Sequence, residues 1–441
     1  MLIIRGGTVL TMNDAMDVVS GPVVIDDGRI TQVGGEVAAS PGAVEIDASG
    51  GVVLPGFVQT HVHLCQTIFR GVADDLTLLA WLRHRIWPLE AAHDEASLQA
   101  SARLAAAELA RSGTTAVLTM ETVHDTDVVC DAMAASGLRA TIGKCLMDQG
   151  DGAPPRLLEA VAPAMDAAMA LHRRWHGAAE GRIRVALAPR FAISCSRPLL
   201  EAVADVARGH HLLVHTHASE QQEEVALVRA VTGLGNMAYL ARVGLASPTL
   251  CAAHCVWVDA DEQALMAEHD VKVLHCPSSN LKLGSGIAPV AALRLRGITV
   301  SLGADGAACN NRLDMFEEMR LAALLQAAQV GPGVVTARDV VRMATRDGAR
   351  TLGLDEEIGQ VTPGYAADVI VVDVTGPHVA PSPDPWSALV YACRASDVRT
   401  TIVAGRVLVD RGVCTRIDEA GVVADARAQA TRLFTRAGLA R

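Results

Sequence analysis

A chain of 441 residues is longer than one small domain needs and fits a barrel of roughly 250 residues with an appended unit. Half of it is apolar, but no run reaches about 18 uninterrupted apolar residues. The N-terminus Met1-Leu-Ile-Ile-Arg-Gly-Gly begins as a strand, without a charged leader and cleavage site, so a soluble cytoplasmic protein is expected, with no membrane partner. A net charge of −11 and an aromatic content of 3% exclude a polyanion held by phosphate neutralisation or base stacking, so no nucleic acid is expected.

Residues 1–56 read as short strands: Leu2 to Met12, Val23 to Gln32 around the turn Asp26-Asp27-Gly28, and Val52 to Leu54 leading into Pro55-Gly56. The same texture returns in Ile358 to Asp373 and Val398 to Asp410. Neither end is long enough for a good sandwich alone. Residues 1–56 and 359–417 are therefore expected to build one small β-sandwich domain, with the central segment inserted between them. Residues 418–441 read as a C-terminal helix, Ala- and Arg-rich with helical spacing.

Residues 57–358 alternate strands with helices. Candidate strands are 57–61, 113–119, 138–144, 182–188, 211–217, 249–254, 271–275 and 298–304. Helical stretches such as Glu95 to Ser112, Pro155 to Trp175, Arg197 to Arg208, Asp259 to Glu268 and Met315 to Ala328 lie between them. Eight such repeats spell an α/β fold, a (β/α)8 TIM barrel. Ten cysteines are scattered without a CxxC pair, which reads as reduced thiols filling cores.

Four barrel strands end abruptly in titratable residues. The first is Leu54-Pro-Gly-Phe-Val-Gln-Thr-His61-Val-His63. Alternate residues on a strand share a face, so His61 and His63 can aim at one point, about 2.0 to 2.1 Å from a zinc-like ion. The others are Leu212-Leu-Val-His215-Thr-His217-Ala-Ser-Glu220, Thr249 to His254, and Ile298 to Asp305. A parallel barrel carries its catalytic residues at the C-terminal ends of different strands.

His61, His63, His217 and Asp305 offer nitrogen and oxygen donors and no thiolate, a set suited to one divalent ion, Zn2+ or Fe2+. His215 shares a face with His217 and stays open as an alternative ligand. Only His217 stands three residues before Glu220, where a carboxylate sits beside the metal without binding it, the place for a general acid/base. His254 reads as a ligand, a partner of the hydrolytic water, or a structural residue.

The chain resembles the amidohydrolase superfamily. The resemblance runs through Pro55 to His63, Arg70-Gly-Val-Ala-Asp-Asp-Leu76, Trp87-Pro-Leu-Glu90, His217-Ala-Ser-Glu220, Ala253-His-Cys255, His275-Cys-Pro-Ser-Ser-Asn-Leu-Lys-Leu283, Gly303-Ala-Asp-Gly-Ala307 and Pro363-Gly-Tyr-Ala-Ala-Asp368. It is closest to the mononuclear-metal deaminases of amino-heterocycles, and within them to the S-adenosylhomocysteine/5'-methylthioadenosine deaminases. The resemblance implies a metal on His61, His63, His217 and Asp305, with His254 on the hydrolytic water. It also implies that Glu220 protonates the ring nitrogen next to the carbon under attack, and that Asp305 helps activate the water and passes a proton to departing ammonia.

For the substrate, Glu90 stands where nucleoside members bind ribose hydroxyls, and Arg190 replaces a histidine of the adenosine-type members. An arginine fork prefers a carbonyl-rich or anionic edge. Lys144 ends the third strand, whereas the lysine that bridges two metals in binuclear relatives belongs to the fourth. One metal is therefore expected, in a homo-oligomer acting on a small-molecule substrate. The expected substrate is an aminopurine nucleoside such as S-adenosylhomocysteine, 5'-methylthioadenosine or 5'-deoxyadenosine. Alternatives are deamination or dechlorination of a free base, pterin or s-triazine, hydrolysis of a cyclic amide, and a non-enzymatic assembly role, which would be expected to have lost ligands.

Overall fold

The computed structural model describes residues 1–37 and 42–439. Among them, the largest sheet is built from eight parallel strands in sequence order: β1 (Phe57–His63), β2 (Thr114–Met120), β3 (Arg139–Leu146), β4 (Ile183–Pro189), β5 (Val214–Ala218), β6 (Leu250–His254), β7 (Lys272–His275) and β8 (Val300–Leu302). Just past β8, Asp305–Gly306 pairs in parallel with Val62 and His63 of β1, which closes the sheet on itself. The strands are buried along almost their whole length, as β-strands covered on both faces must be. The fold is the TIM barrel expected.

Helices follow the strands with local signals that explain where they start and stop. Glu95–Arg111 begins at a capping box in which Asp94 accepts from the Ser97 amide at 2.9 Å and the Ser97 hydroxyl reaches back to the Asp94 amide at 3.0 Å. Thr126–Ser136 stops at Gly137, whose φ of +89° suits a glycine at the helix end. The helical pattern over Pro155 to Trp175 is divided into a short turn at Pro155–Leu157 and a helix at Val161–Trp175. Glu159 breaks it: its amide bonds to Met147 O at 3.0 Å, and its carboxylate takes Lys144 Nζ at 2.5 Å.

The two chain ends form the sandwich. A seven-stranded sheet runs Val413–Cys414, Arg406–Asp410, Val398–Val403, Val369–Asp373, Gly51–Pro55, Thr8–Leu10, Val18–Ser20, so N- and C-terminal strands meet where Gly51–Pro55 pairs with Val369–Asp373. A four-stranded sheet takes Arg29–Val33, Val23–Asp26, Leu2–Arg5 and Val44–Asp47. One buried cluster draws Ile4 and Ile25 from the smaller sheet and Val9, Val53, Val371 and Ile402 from the larger. Barrel and sandwich are joined by a buried ion pair at the base of β3. Arg139 donates to Asp368 at 2.7 and 3.2 Å and to Glu357 at 3.1 Å, while Asp368 also accepts from the Ala404 amide at 2.8 Å. The C-terminal helix spans Glu419–Ala437 and packs on Glu95–Arg111. Among the described residues, no helix is long and apolar enough to cross a membrane.

Candidate metal centre

β1 delivers His61 and His63, β5 delivers His215 and His217, β6 ends in His254, and Asp305 stands three residues past β8. All are buried. The backbone turns sharply to aim two of them: φ is +72° at His254 and +63° at Asp305, a left-handed conformation that costs a non-glycine residue about 1–3 kcal/mol. Gly303 lets the strands close, because a Cβ there would lie 2.6 Å from the backbone N and O of His61.

Hydrogen bonds behind the imidazoles fix where their protons are. His63 Nδ1 lies 2.8 Å from Met120 O, and His217 Nδ1 lies 2.7 Å from Arg190 O. Carbonyls only accept, so both rings carry the proton on Nδ1 and present Nε2 as a bare lone pair. His215 Nδ1 lies 3.2 Å from Thr119 O, so its Nε2 is an acceptor; it receives the proton of His61 Nδ1 at 2.6 Å. His61 Nε2 is therefore bare too, and among the described residues it has no hydrogen-bond partner.

His61, His63 and His217 bring their nitrogens within 4.8 Å of one another, and two of them, His61 and His63, meet one carboxylate. His63 Nε2 and His217 Nε2 are 3.3 Å apart, and Asp305 Oδ1 lies 3.3 Å from His61 Nε2 and 3.2 Å from His63 Nε2. No proton is left to bind these acceptors together, so a shared cation fits the set. Donors about 2.0–2.1 Å from one tetrahedral ion would stand about 3.3–3.4 Å from each other. Burial pushes His61 down to about 4 and His217 well below the usual histidine range.

His254 and Glu220 stand beside this set. His254 donates from Nδ1 to Asn280 Oδ1 at 2.8 Å and turns Nε2 toward Glu220 Oε2 at 3.6 Å and Asp305 Oδ2 at 3.9 Å. Burial, then the negative charges of Asp305 and Glu224, push the Glu220 carboxyl well above its ordinary value. Its Oε1 has no hydrogen-bond partner among the described residues. A buried carboxyl thus stands beside the candidate cation site.

The two substrate candidates meet each other. Arg190 donates to Glu90 through Nη1 at 2.5 Å and Nη2 at 3.2 Å, and Gln66 Nε2 donates to Glu90 at 3.0 Å; all three side chains are buried. The anionic edge that the Arg190 fork meets in this structure is thus the protein's own. Lys144 stands apart from the histidines, paired with Glu159 and bonded to Cys145 O. Lys282 ties the motif segments together across the barrel mouth, reaching Asp74 and Asn311 at 2.5 Å each.

Several supporting residues escape a reading of the sequence. The role of His215 as the acceptor behind His61 depends on a bond between strands 154 residues apart. Asn280, Gln66 and Glu121 are further examples. Glu121, which follows β2, accepts from the Leu64 and Cys65 amides at 3.3 and 3.0 Å and braces the turn after His63. The available signal was position: Gln66 and Glu121 each come within three residues of a strand end, and Asn280 lies in the His275-Cys-Pro-Ser-Ser-Asn run.

The sequence model described as the amidohydrolase family matches residues 52–408. The chain is 41% identical over 433 residues to the 5'-deoxyadenosine deaminase of Methanothermobacter thermautotrophicus, covering 98% of both chains. It is 40% identical over 422 residues to the 5-methylthioadenosine/S-adenosylhomocysteine deaminase of Moorella thermoacetica, covering 93% of this chain and 96% of that one. Its fold superposes with a TM-score of 0.93 on the crystal structure of an adenosine deaminase from Xanthomonas campestris with bound zinc, at 33% identity and 98% coverage of both chains.

Proposed function

The chain belongs to the amidohydrolase family, and from that premise we propose that it is a metal-dependent hydrolytic deaminase of an aminopurine nucleoside, releasing ammonia. The observation that carries this reading is the gathering of the His61, His63 and His217 imidazoles, with Asp305 against the first two and the buried Glu220 carboxyl beside His254. The full-length likeness to deaminases of 5'-substituted adenosines supports the choice of leaving group and substrate.

His61, His63, His217 and Asp305 would hold one divalent ion, Zn2+ or Fe2+. Such an ion supplies Lewis-acid chemistry that brings the pKa of water toward about 7. Glu220 gives its proton to the ring nitrogen next to the carbon that bears the amine, which makes that carbon electrophilic enough to accept hydroxide. His254, braced by Asn280, presents Nε2 as an acceptor that orients the incoming water. Asp305 takes one proton of the water through Oδ2 and passes it to the departing amine, and Glu220 recovers the other from the added hydroxyl as it collapses to the carbonyl. The net reaction adds water across the amidine and loses ammonia, leaving a carbonyl. Glu90 binds the sugar, and Arg190 fixes Glu90.

Residues 57–358 carry this chemistry, flanked by sandwich segments 1–56 and 359–417 and the helix of 418–441. Assembly into a cytoplasmic homo-oligomer belongs to the same proposal. Ammonia release across a panel of aminopurine nucleosides, free aminopurines, aminopteridines and aminotriazines tests it. Highest kcat/KM on a 5'-substituted adenosine is expected, and turnover confined to the pteridines or triazines would overturn the substrate assignment.

A further inference from the structure

A carboxylate has about four acceptor positions, two on each oxygen. In Glu90, Oε1 receives Arg190 Nη2 at 3.2 Å and Gln66 Nε2 at 3.0 Å, and Oε2 receives Arg190 Nη1 at 2.5 Å. Among the described residues these donors fill three positions, and one remains, on Oε2.

None of the three donors is free to leave. Swinging the arginine away would strand two opposite charges in a buried site, which is strongly unfavourable. The backbone of Arg190 is also held, since its carbonyl accepts from both Nδ1 and the amide of His217, at 2.7 and 3.1 Å. Gln66 is packed so closely on Gly306 that a Cβ there would lie 2.1 Å from Gln66 Oε1. A ligand therefore meets a Glu90 that is already clamped.

We propose that Arg190 is a specificity-determining residue that limits Glu90 to reading a single ribose hydroxyl rather than a vicinal diol. This rests on the nucleoside deaminase reading above. Its consequence is a substrate class: adenine nucleosides that keep one of the two ribose hydroxyls and lack the other serve almost as well as those with both. A carboxylate free on both oxygens would pair one with each hydroxyl and penalise either loss. The clamped one has a single site to offer.

The test compares kcat/KM for ammonia release by zinc-loaded protein on 5'-deoxyadenosine and on its 2'-deoxy and 3'-deoxy counterparts. One counterpart should lose on the order of tenfold or more, the scale of a hydrogen bond to a charged group, while the other stays within about threefold. Arg190→Lys keeps the charge but gives up the fork, freeing an acceptor on Glu90. In that variant the tolerated counterpart should fall behind the diol by about threefold or more beyond its wild-type ratio. Equal losses of tenfold or more for both counterparts in the wild type overturn the inference, as do no loss for either and a folded, zinc-loaded lysine variant with unchanged ratios. An absence of ammonia from all three nucleosides, with turnover of an aminopteridine or aminotriazine, overturns the nucleoside reading itself and so is told apart.

Discussion

His215 Nε2 stands 2.6 Å from His61 Nδ1, and the ring behind it is anchored on Thr119 O at 3.2 Å. His215 thus holds the proton of His61 on the far side of the ring and leaves Nε2 bare toward Asp305. Loss of such an outer partner typically lowers metal affinity by about 10- to 100-fold. His215→Ala should weaken zinc binding to that extent, read by competition with a chelating dye, whereas His217→Ala should abolish it. If His215→Ala loses zinc and His217→Ala keeps it, the two histidines have exchanged roles.

Glu220→Gln preserves the shape of the side chain and removes the proton it carries. The variant should bind zinc as the wild type does and lose about 10² to 10⁴ in kcat. Turnover within a few-fold of wild type would assign the proton transfer to another group.

The pair of Arg139 and Asp368 is the joint between barrel and sandwich, and both side chains are buried. Asp368→Ala would leave the guanidinium without its main partner, a change that costs about 3–5 kcal/mol. A lowered Tm with little change in kcat is the expected result. A Tm equal to wild type would mean that Glu357 alone satisfies Arg139.

Glu318 accepts from Ser278 and Asn310, and burial pushes its carboxyl from 4.5 up to about 7. In the folded protein it keeps a proton that the unfolded chain releases near its ordinary value. Stability from this group is therefore full below the ordinary value and is lost as pH rises through about 7. The Tm of the wild type should fall across that window more steeply than the Tm of Glu318→Gln. Parallel Tm–pH curves for the two would remove Glu318 as the cause.

The barrel could be read from the sequence because a strand buried on both faces is a short apolar run, and eight of these recur with helices between them. The convergence of His61, His63, His217 and Asp305 could be read because an apolar run that stops at a titratable residue marks a strand end, and barrel strand ends share a face. What could not be read depends on register between distant strands. The proposal that His215 supports instead of ligating rests on its bond to His61, and that for Arg190 on a carboxylate 100 residues earlier. The break in the helical pattern at Glu159 has the same origin, since its partner Lys144 lies on β3.

We propose one cation per chain, held by those three imidazoles and Asp305 and required for deamination. This is tested most directly by titrating zinc into metal-free protein while following ammonia release from 5'-deoxyadenosine. The rate should start near zero, rise linearly and break sharply at one ion per chain. Full activity without metal, or a break at two ions per chain, would contradict it.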